Sequence, residues 1–312
     1  MSVYTQITAR ELEQFMQRYP CGALVSHKGI SEGIENTNYF VDTAQGSYVL
    51  TVFEWLGRDE LPWFIDLMAH VADAGLPCPH PVAARDGGYL QELKGKPAVL
   101  ITRLRGRTVR DPDARHCGLV GEALARLHGA MKNFGRRREN GRDIAWFREQ
   151  GRRLDEHLGA RERELLRSEI KHQAACDFSP LPGGIIHADL FRDNVMFDGP
   201  RLSGLIDFYY ACEGSLLYDL AVTVNDWCRR DGGAIAGDRY EALLAGYREH
   251  RALQPAEARA WQDALRRAAL RFWLSRLRDR RFPRRGEITH IKDPGVFRDI
   301  LLDCRADGAP LA

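Results

Sequence analysis

No apolar run in this chain approaches the roughly 20 residues that a membrane-crossing helix needs. The amino terminus, MSVYTQITARELEQF, also lacks a basic stretch followed by an apolar one. A cytoplasmic protein with no membrane partner is the expectation. Net charge is nearly absent too: 45 Lys and Arg against 43 Asp and Glu leave +2. Bulk electrostatics therefore cannot hold nucleic acid, and no nucleic-acid partner is expected, although an excess of Arg over Lys leaves room for local anion sites. The seven cysteines (21, 78, 117, 176, 212, 228 and 304) are scattered and never paired as CxxC. Neither a disulfide framework nor a zinc site is suggested, and reduced, mostly buried thiols are expected. Internal repeats and low-complexity segments are lacking. At 312 residues the chain is long for a single core, so two lobes are expected.

What is present changes character along the chain. ITARELEQFMQRY has helical spacing with a Thr cap before its first turn. The β-type runs ALVSHKG, TNYFVDT and SYVLTVFE come next, separated by Gly-containing turns, and predict an antiparallel meander. ELPWFIDLMAHVADAG reads as an amphipathic helix stopped by Gly75 and the prolines beyond it. HPVAA, GYLQEL and KPAVLITRL read as further strands, and RGRTVRD as a connector. From Pro112 onward the pattern is helical: DPDARHCGLVGEALARLHGAM, IAWFREQGRRLDEHL, ARERELLRSEIKHQAACDF, SLLYDLAVTVNDWCR, RYEALLAGYREH and a segment from Pro255 to Phe282. The expected plan is α+β: a strand-rich lobe over residues 1–103 and a helical lobe over 104–312, interrupted by one acidic hairpin.

That hairpin, IIHADLFRDNVMFDGPRLSGLIDF, sets one His, four Asp and one Asn among β-type residues. GGII, NVMFD and LSGLIDF read as three short strands whose turns bring Asp189, Asn194 and Asp207 to one end of a small sheet. Crowded carboxylates repel unless a cation sits between them, and a hard divalent ion with oxygen ligands is the usual resolution. Mg²⁺ needs only one or two protein oxygens besides phosphate and water, so Asn194 and Asp207 suffice. His187-x-Asp189, Asn194 five residues later, and Asp207 ahead of an aromatic reproduce the H-x-D-x-x-x-x-N and D-F pattern of kinase catalytic loops. Asp189 is then the residue that takes the proton of the acceptor hydroxyl. His187 reads as a structural brace, and Asp193 and Asp198 as turn formers.

A kinase also needs a nucleotide site. KGISEGIENTNYFV supplies Lys28, Gly29 and Gly33 in a turn whose backbone could close over phosphates. Where protein kinases carry a Lys on the third strand, YVLTVFE has Thr51. Either another cation approaches the phosphates, Lys28 and Arg58 being nearest in sequence, or Mg²⁺ and backbone amides carry more of the charge.

Together with VYTQITARELEQFMQRY, GSYVLTVFE, GLPCPHPV, LIDFYYAC, YDLAVTVNDWC and ALRFWLSRLRDR, these motifs resemble, in order and over nearly the whole chain, the bacterial homoserine kinases built on the aminoglycoside-phosphotransferase fold. The resemblance implies a bilobal protein-kinase-like fold, with an antiparallel-sheet first lobe bearing one main helix and a mostly helical second lobe. It implies ATP- and Mg²⁺-dependent phosphorylation of the L-homoserine hydroxyl on the route to threonine, with Asp189 as base and Asn194 and Asp207 as metal ligands. Thr51 looks like what this branch carries.

A zwitterionic substrate needs countercharges. Arg271 and Arg276 in LRFWLSR are candidate carboxylate clamps, although five residues apart on a helix they do not share one face ideally; a solvated helix face accounts for either equally well. Tyr209, Tyr210, Asn225 and Trp227 are near enough in sequence to line the pocket, and core packing explains the aromatics as well. Asp219, in LLYDLA, reads as structural, capping its helix or bonded to the catalytic loop. FGRRRENGR reads as a solvated basic loop. Two other classes stay open: a related kinase for choline, methylthioribose or an aminoglycoside, and a non-catalytic nucleotide-binding protein.

Overall fold

The computed structural model describes residues 5–30, 36–230, 232–283, 292–307 and 310–311. The chain separates into two compact units, the first running to Gly106 and including Ser203–Ile206, the second taking Arg107–Leu202 and most of the chain from Asp207 onward. The division falls three residues beyond Arg103, where Ser203 Oγ donates to the Arg105 carbonyl at 2.6 Å within the first unit.

In the first unit, helix α1 (Ala9–Met16) starts at Thr8, whose hydroxyl accepts from the Glu11 amide while Glu11 accepts from the Thr8 amide. Strands β1 (Leu24–Gly29), β2 (Thr37–Thr43) and β3 (Gly46–Val52) form the expected meander. Alternate residues of β2 are buried, as a half-buried strand requires. Helix α2 (Leu61–Asp73) ends in a Schellman motif: Gly75, at φ +81, donates to Ala72 and Leu76 donates to Val71. Strands β4 (Leu90–Leu93) and β5 (Lys96–Thr102) complete an antiparallel sheet of order β1-β2-β3-β5-β4. Leu12, Phe15, Val41, Leu50, Val52 and Leu100 are fully buried or nearly so and form its core. HPVAA is not a strand. It makes one bridge, Pro81 to Ile101, and pairing stops there because the next inward-facing amide, that of Ala84, donates to the Gly88 carbonyl instead.

In the second unit, β6 (Arg107–Thr108) lies inside the expected connector and leads to α3 (Ala114–Met131), α4 (Ile144–Leu154) and α5 (Ala160–Ala175). Strands β7 (Gly183–Ile186), β8 (Val195–Asp198), β9 (Arg201–Leu205) and β10 (Cys212–Ser215) come next, then α6 (Leu216–Trp227), α7 (Gly237–Arg248), α8 (Pro255–Arg281) and α9 (Pro294–Asp307). The acidic stretch is not one small sheet: β8 and β9 pair as expected and β6 joins them, but β7 pairs with β10. Nor does β9 end in an acid, because the strand stops at Leu205, two residues short of Asp207. Helix α3 crosses α7 at glycines. A methyl group on Gly121 would overlap the Leu243 carbonyl, and one on Gly246 would overlap the Gly118 carbonyl, so the two backbones touch. Among the described residues all seven cysteines are free, six of them buried, and no helix is long and apolar enough to cross a membrane.

Candidate active site

The loop from His187 to Asn194 is pinned from below by helix α6. Asp219, fully buried, accepts from the amides of His187 at 2.8 Å and Ala188 at 2.7 Å. Ala188 sits at φ +62, a left-handed conformation costly for a residue with a Cβ, and the paired amide bonds hold it there. About two turns on, Asp226 accepts from the Arg192 amide at 2.7 Å and Trp227 Nε1 donates to the Leu190 carbonyl at 3.0 Å. His128 on α3 braces Asp219 in turn, its Nε2 lying 2.9 Å from the carboxylate and its Nδ1 2.9 Å from the Tyr247 hydroxyl. Burial pushes the Asp219 pKa up, but the hydrogen bond and charge of His128, the charge of His187 and the His187 amide outweigh it and hold the carboxyl below its ordinary value. Behind the loop, Phe191 packs tilted against Phe272 of α8 and stacks on Phe297 of α9, at 4.4 and 5.7 Å between centroids.

This scaffold brings Asp189 and Asn194 together. Asn194 Nδ2 donates to the Asp189 carbonyl at 2.8 Å and to its Oδ2 at 3.2 Å, which fixes the carboxylate and leaves the amide oxygen as an acceptor. Asp189 keeps 17 % of its side-chain surface accessible. Burial raises its pKa to about 8; Arg271 opposes the rise, and the negative charges of Asp207 and Asp193 add to it. Asp207 is exposed, at φ +65, immediately ahead of a short 3-10 turn over Phe208–Tyr210. The oxygens of Asn194 and Asp207 are the hard donors that Mg²⁺ prefers, so the residues fit that ion. Asp193 is salt-bridged to Lys292, and His187 is buried with its ring 4.9 Å from Phe208, as a brace should be.

The other expected site residues divide. Arg271 is buried, with its Nη1 3.6 Å from Asp189 Oδ1. Arg276 instead donates to the Asp293 carbonyl at 3.0 Å and lies over Phe297. Asn225 is buried in the helical core, donating to the Leu265 carbonyl and accepting from Arg229, so its amide serves packing. Tyr209 and Tyr210 are half-buried in the turn after Asp207, whereas Trp227 is wholly buried. The basic run is not all solvated: Arg142, its last residue, is half-buried and stacks on Trp146 at 4.7 Å. In the first unit, Lys28 on β1 is exposed and Gly29 ends that strand, while Gly33 lies outside the described residues. Thr51 Oγ1 donates across the sheet to Asn38 Oδ1 at 2.7 Å. Arg58 pairs with Glu92 on the surface at 3.2 Å. Sequence reasoning did not find Lys96, which pairs with the buried Glu54 at the sheet end where β2 begins. Away from these groups, His172, Cys176 and Asp263 also come close together, but His172 and Asp263 are already hydrogen-bonded at 2.6 Å.

A family model described as "Phosphotransferase enzyme family" matches residues 26–253. The chain belongs to this family. Similar proteins include the homoserine kinase of Methylobacillus flagellatus, 46 % identical over 96 % of this chain and 94 % of that protein. The homoserine kinase of Methylobacillus glycogenes is 44 % identical, over 96 % and 95 %. Among solved structures, a microcompartment-associated aminopropanol kinase superposes with a TM-score of 0.73 at 20 % identity, over 96 % of this chain and 97 % of that one. The fold is thus the kinase-like α+β fold of this family.

Proposed function

We propose that the protein transfers the γ-phosphoryl group of ATP to the side-chain hydroxyl of L-homoserine, giving O-phospho-L-homoserine. The observation that carries the reading is Asp189, half-buried and fixed by Asn194 at the end of an α6-anchored loop in a chain 46 % identical to a homoserine kinase. In this reading Asp189 orients the hydroxyl and takes its proton as the alcohol oxygen bonds to the γ-phosphorus and the bond to the β-phosphate oxygen breaks. Burial makes the Asp189 carboxylate more basic, so in its ionised form it is a stronger proton acceptor. Asn194 keeps the carboxylate in place, and with Asp207 would hold Mg²⁺. That ion supplies charge neutralisation at the phosphates when bound. The first unit takes the nucleotide, with Gly29 at the end of β1 and Lys28, Thr51 and Lys96 as polar side chains of the sheet. In the second unit, a guanidinium beside Asp189 disfavours polycationic aminoglycosides and choline as acceptors.

The test is coupled ADP release with ATP and Mg²⁺ against homoserine, choline, methylthioribose and kanamycin. Turnover of L-homoserine at least tenfold above the others is expected. Preference for another acceptor, or no ADP release with any, refutes the assignment.

A further inference from the structure

Helix α8 carries eight arginines, and four of them have acceptors. Arg266 bonds Glu169, Arg267 bonds Gln173, Arg276 bonds the Asp293 carbonyl and Arg278 bonds Asp279. Arg259, Arg280 and Arg281 face solvent, so among the buried and half-buried arginines of α8 Arg271 is the exception. Its side chain is 3 % exposed, its Nε is buried without an acceptor, and its contact with Asp189 at 3.6 Å is longer than a hydrogen bond. A guanidinium has five N–H donors, and leaving them unmet in a buried place is costly.

Arg142 occupies the same neighbourhood. The guanidinium carbons of Arg271 and Arg142 lie 4.9 and 5.9 Å from the centroid of the Tyr210 ring. Arg142 is also half-buried and makes no salt bridge among the described residues. Burial, with the charges of Arg271 and Arg278 adding to it and the Tyr210 phenol opposing it, lowers the proton affinity of Arg142. Two desolvated guanidiniums around one aromatic ring attract an anion, and their planar forks match a carboxylate bidentately.

We propose that Arg142 and Arg271, gathered around Tyr210, form the subsite for the carboxylate of an amino-acid acceptor. The inference rests on the homoserine reading and names what selects that substrate. In homoserine the hydroxyl oxygen and the carboxyl carbon are four bonds apart, roughly 5 Å when extended. Arg271, in contact with Asp189, stands where an acid four bonds from that hydroxyl can reach it. The subsite excludes acceptors that bring only positive charge.

The experiment compares three acceptors in the full-length protein: L-homoserine, L-homoserine amide and 3-aminopropan-1-ol, the last being homoserine without its carboxylate. Wild type is expected to favour L-homoserine over the amide by at least 100-fold in kcat/KM. R142M, which keeps the stem packed on Trp146 but removes the charge, is expected to lose at least 30-fold more on L-homoserine than on 3-aminopropan-1-ol, and R142K to recover part of it. Equal losses on both acceptors, or near-equal use of acid and amide by wild type, overturn the subsite while leaving the kinase assignment standing. The wild-type comparison decides even if R142M does not fold. A wild type that phosphorylates choline or kanamycin and none of the three overturns both.

Discussion

Replacing Asp219 with Asn tests the anchoring of the His187–Asn194 loop. One carboxylate oxygen accepts from the Ala188 amide, and the other from the His187 amide and His128 Nε2. In either orientation the new NH2 group faces at least one N–H donor. Hydrogen bonds to a charged acceptor contribute about 1.5–3 kcal/mol each, and breaking a buried charged pair costs about 3–5 kcal/mol. A loss of about 3–5 kcal/mol is expected from urea unfolding monitored by tryptophan fluorescence. Because Ala188 sits at φ +62 only under this restraint, kcat should also fall, by more than tenfold. The same change at Asp198, exposed at the end of β8, is the control and should leave both quantities near wild type. The folded-state pKa of Asp219 is depressed, so its stabilisation is complete above the unfolded value near 3.9 and is lost as pH falls through the lower folded value. Wild type should therefore lose stability on acidification below about pH 4 more steeply than Asp219→Asn. A variant within 1 kcal/mol of wild type, with full activity and an unchanged acid limb, refutes the anchoring argument.

Asp189→Asn should lower kcat by about 10²–10⁴-fold with little change in the unfolding midpoint; steady-state turnover beside thermal unfolding checks both. Asp207→Asn should raise the Mg²⁺ concentration for half-maximal activity at least tenfold, read from a metal titration at saturating ATP. Gly246→Ala should destabilise by roughly 1–3 kcal/mol or more, since α3 and α7 must separate to admit the methyl group, and urea midpoints compared with Gly129→Ala, which has open space, isolate that effect.

Much of this molecule is legible in one sequence because local signals decide it. Thr8 with Glu11, the Gly75 stop and the alternation of TNYFVDT each belong to a single element and need no distant partner. The closeness of Asp189 and Asn194 is readable for a related reason: they are five residues apart on one loop, whereas Asp207 follows only after β8 and β9. Pairing across long separations could not be read. Nothing in GGII says that its partner is Cys212–Ser215 rather than the nearer NVMFD, and two-residue β6 has no pattern of its own. Helix α9 had a usable signal, buried Phe297, Ile300, Leu301 and Cys304 at helical spacing. Arg142 was hidden for the opposite reason, since it ends a run of arginines whose exposed members resemble it in every way except what they pack against.

The glycine crossing of α3 and α7 constrains how such a chain can be remodelled. Where main chain rests on main chain there is no intervening side-chain layer to thicken or thin, so the gap between these helices cannot be tuned by core substitution. His128 rides on α3 and Tyr247 on α7, and their contact reaches the loop amides through Asp219. Changes in the turn after Asp207 leave this contact untouched, so the ruler that sets the height of the His187–Asn194 loop stays the same length.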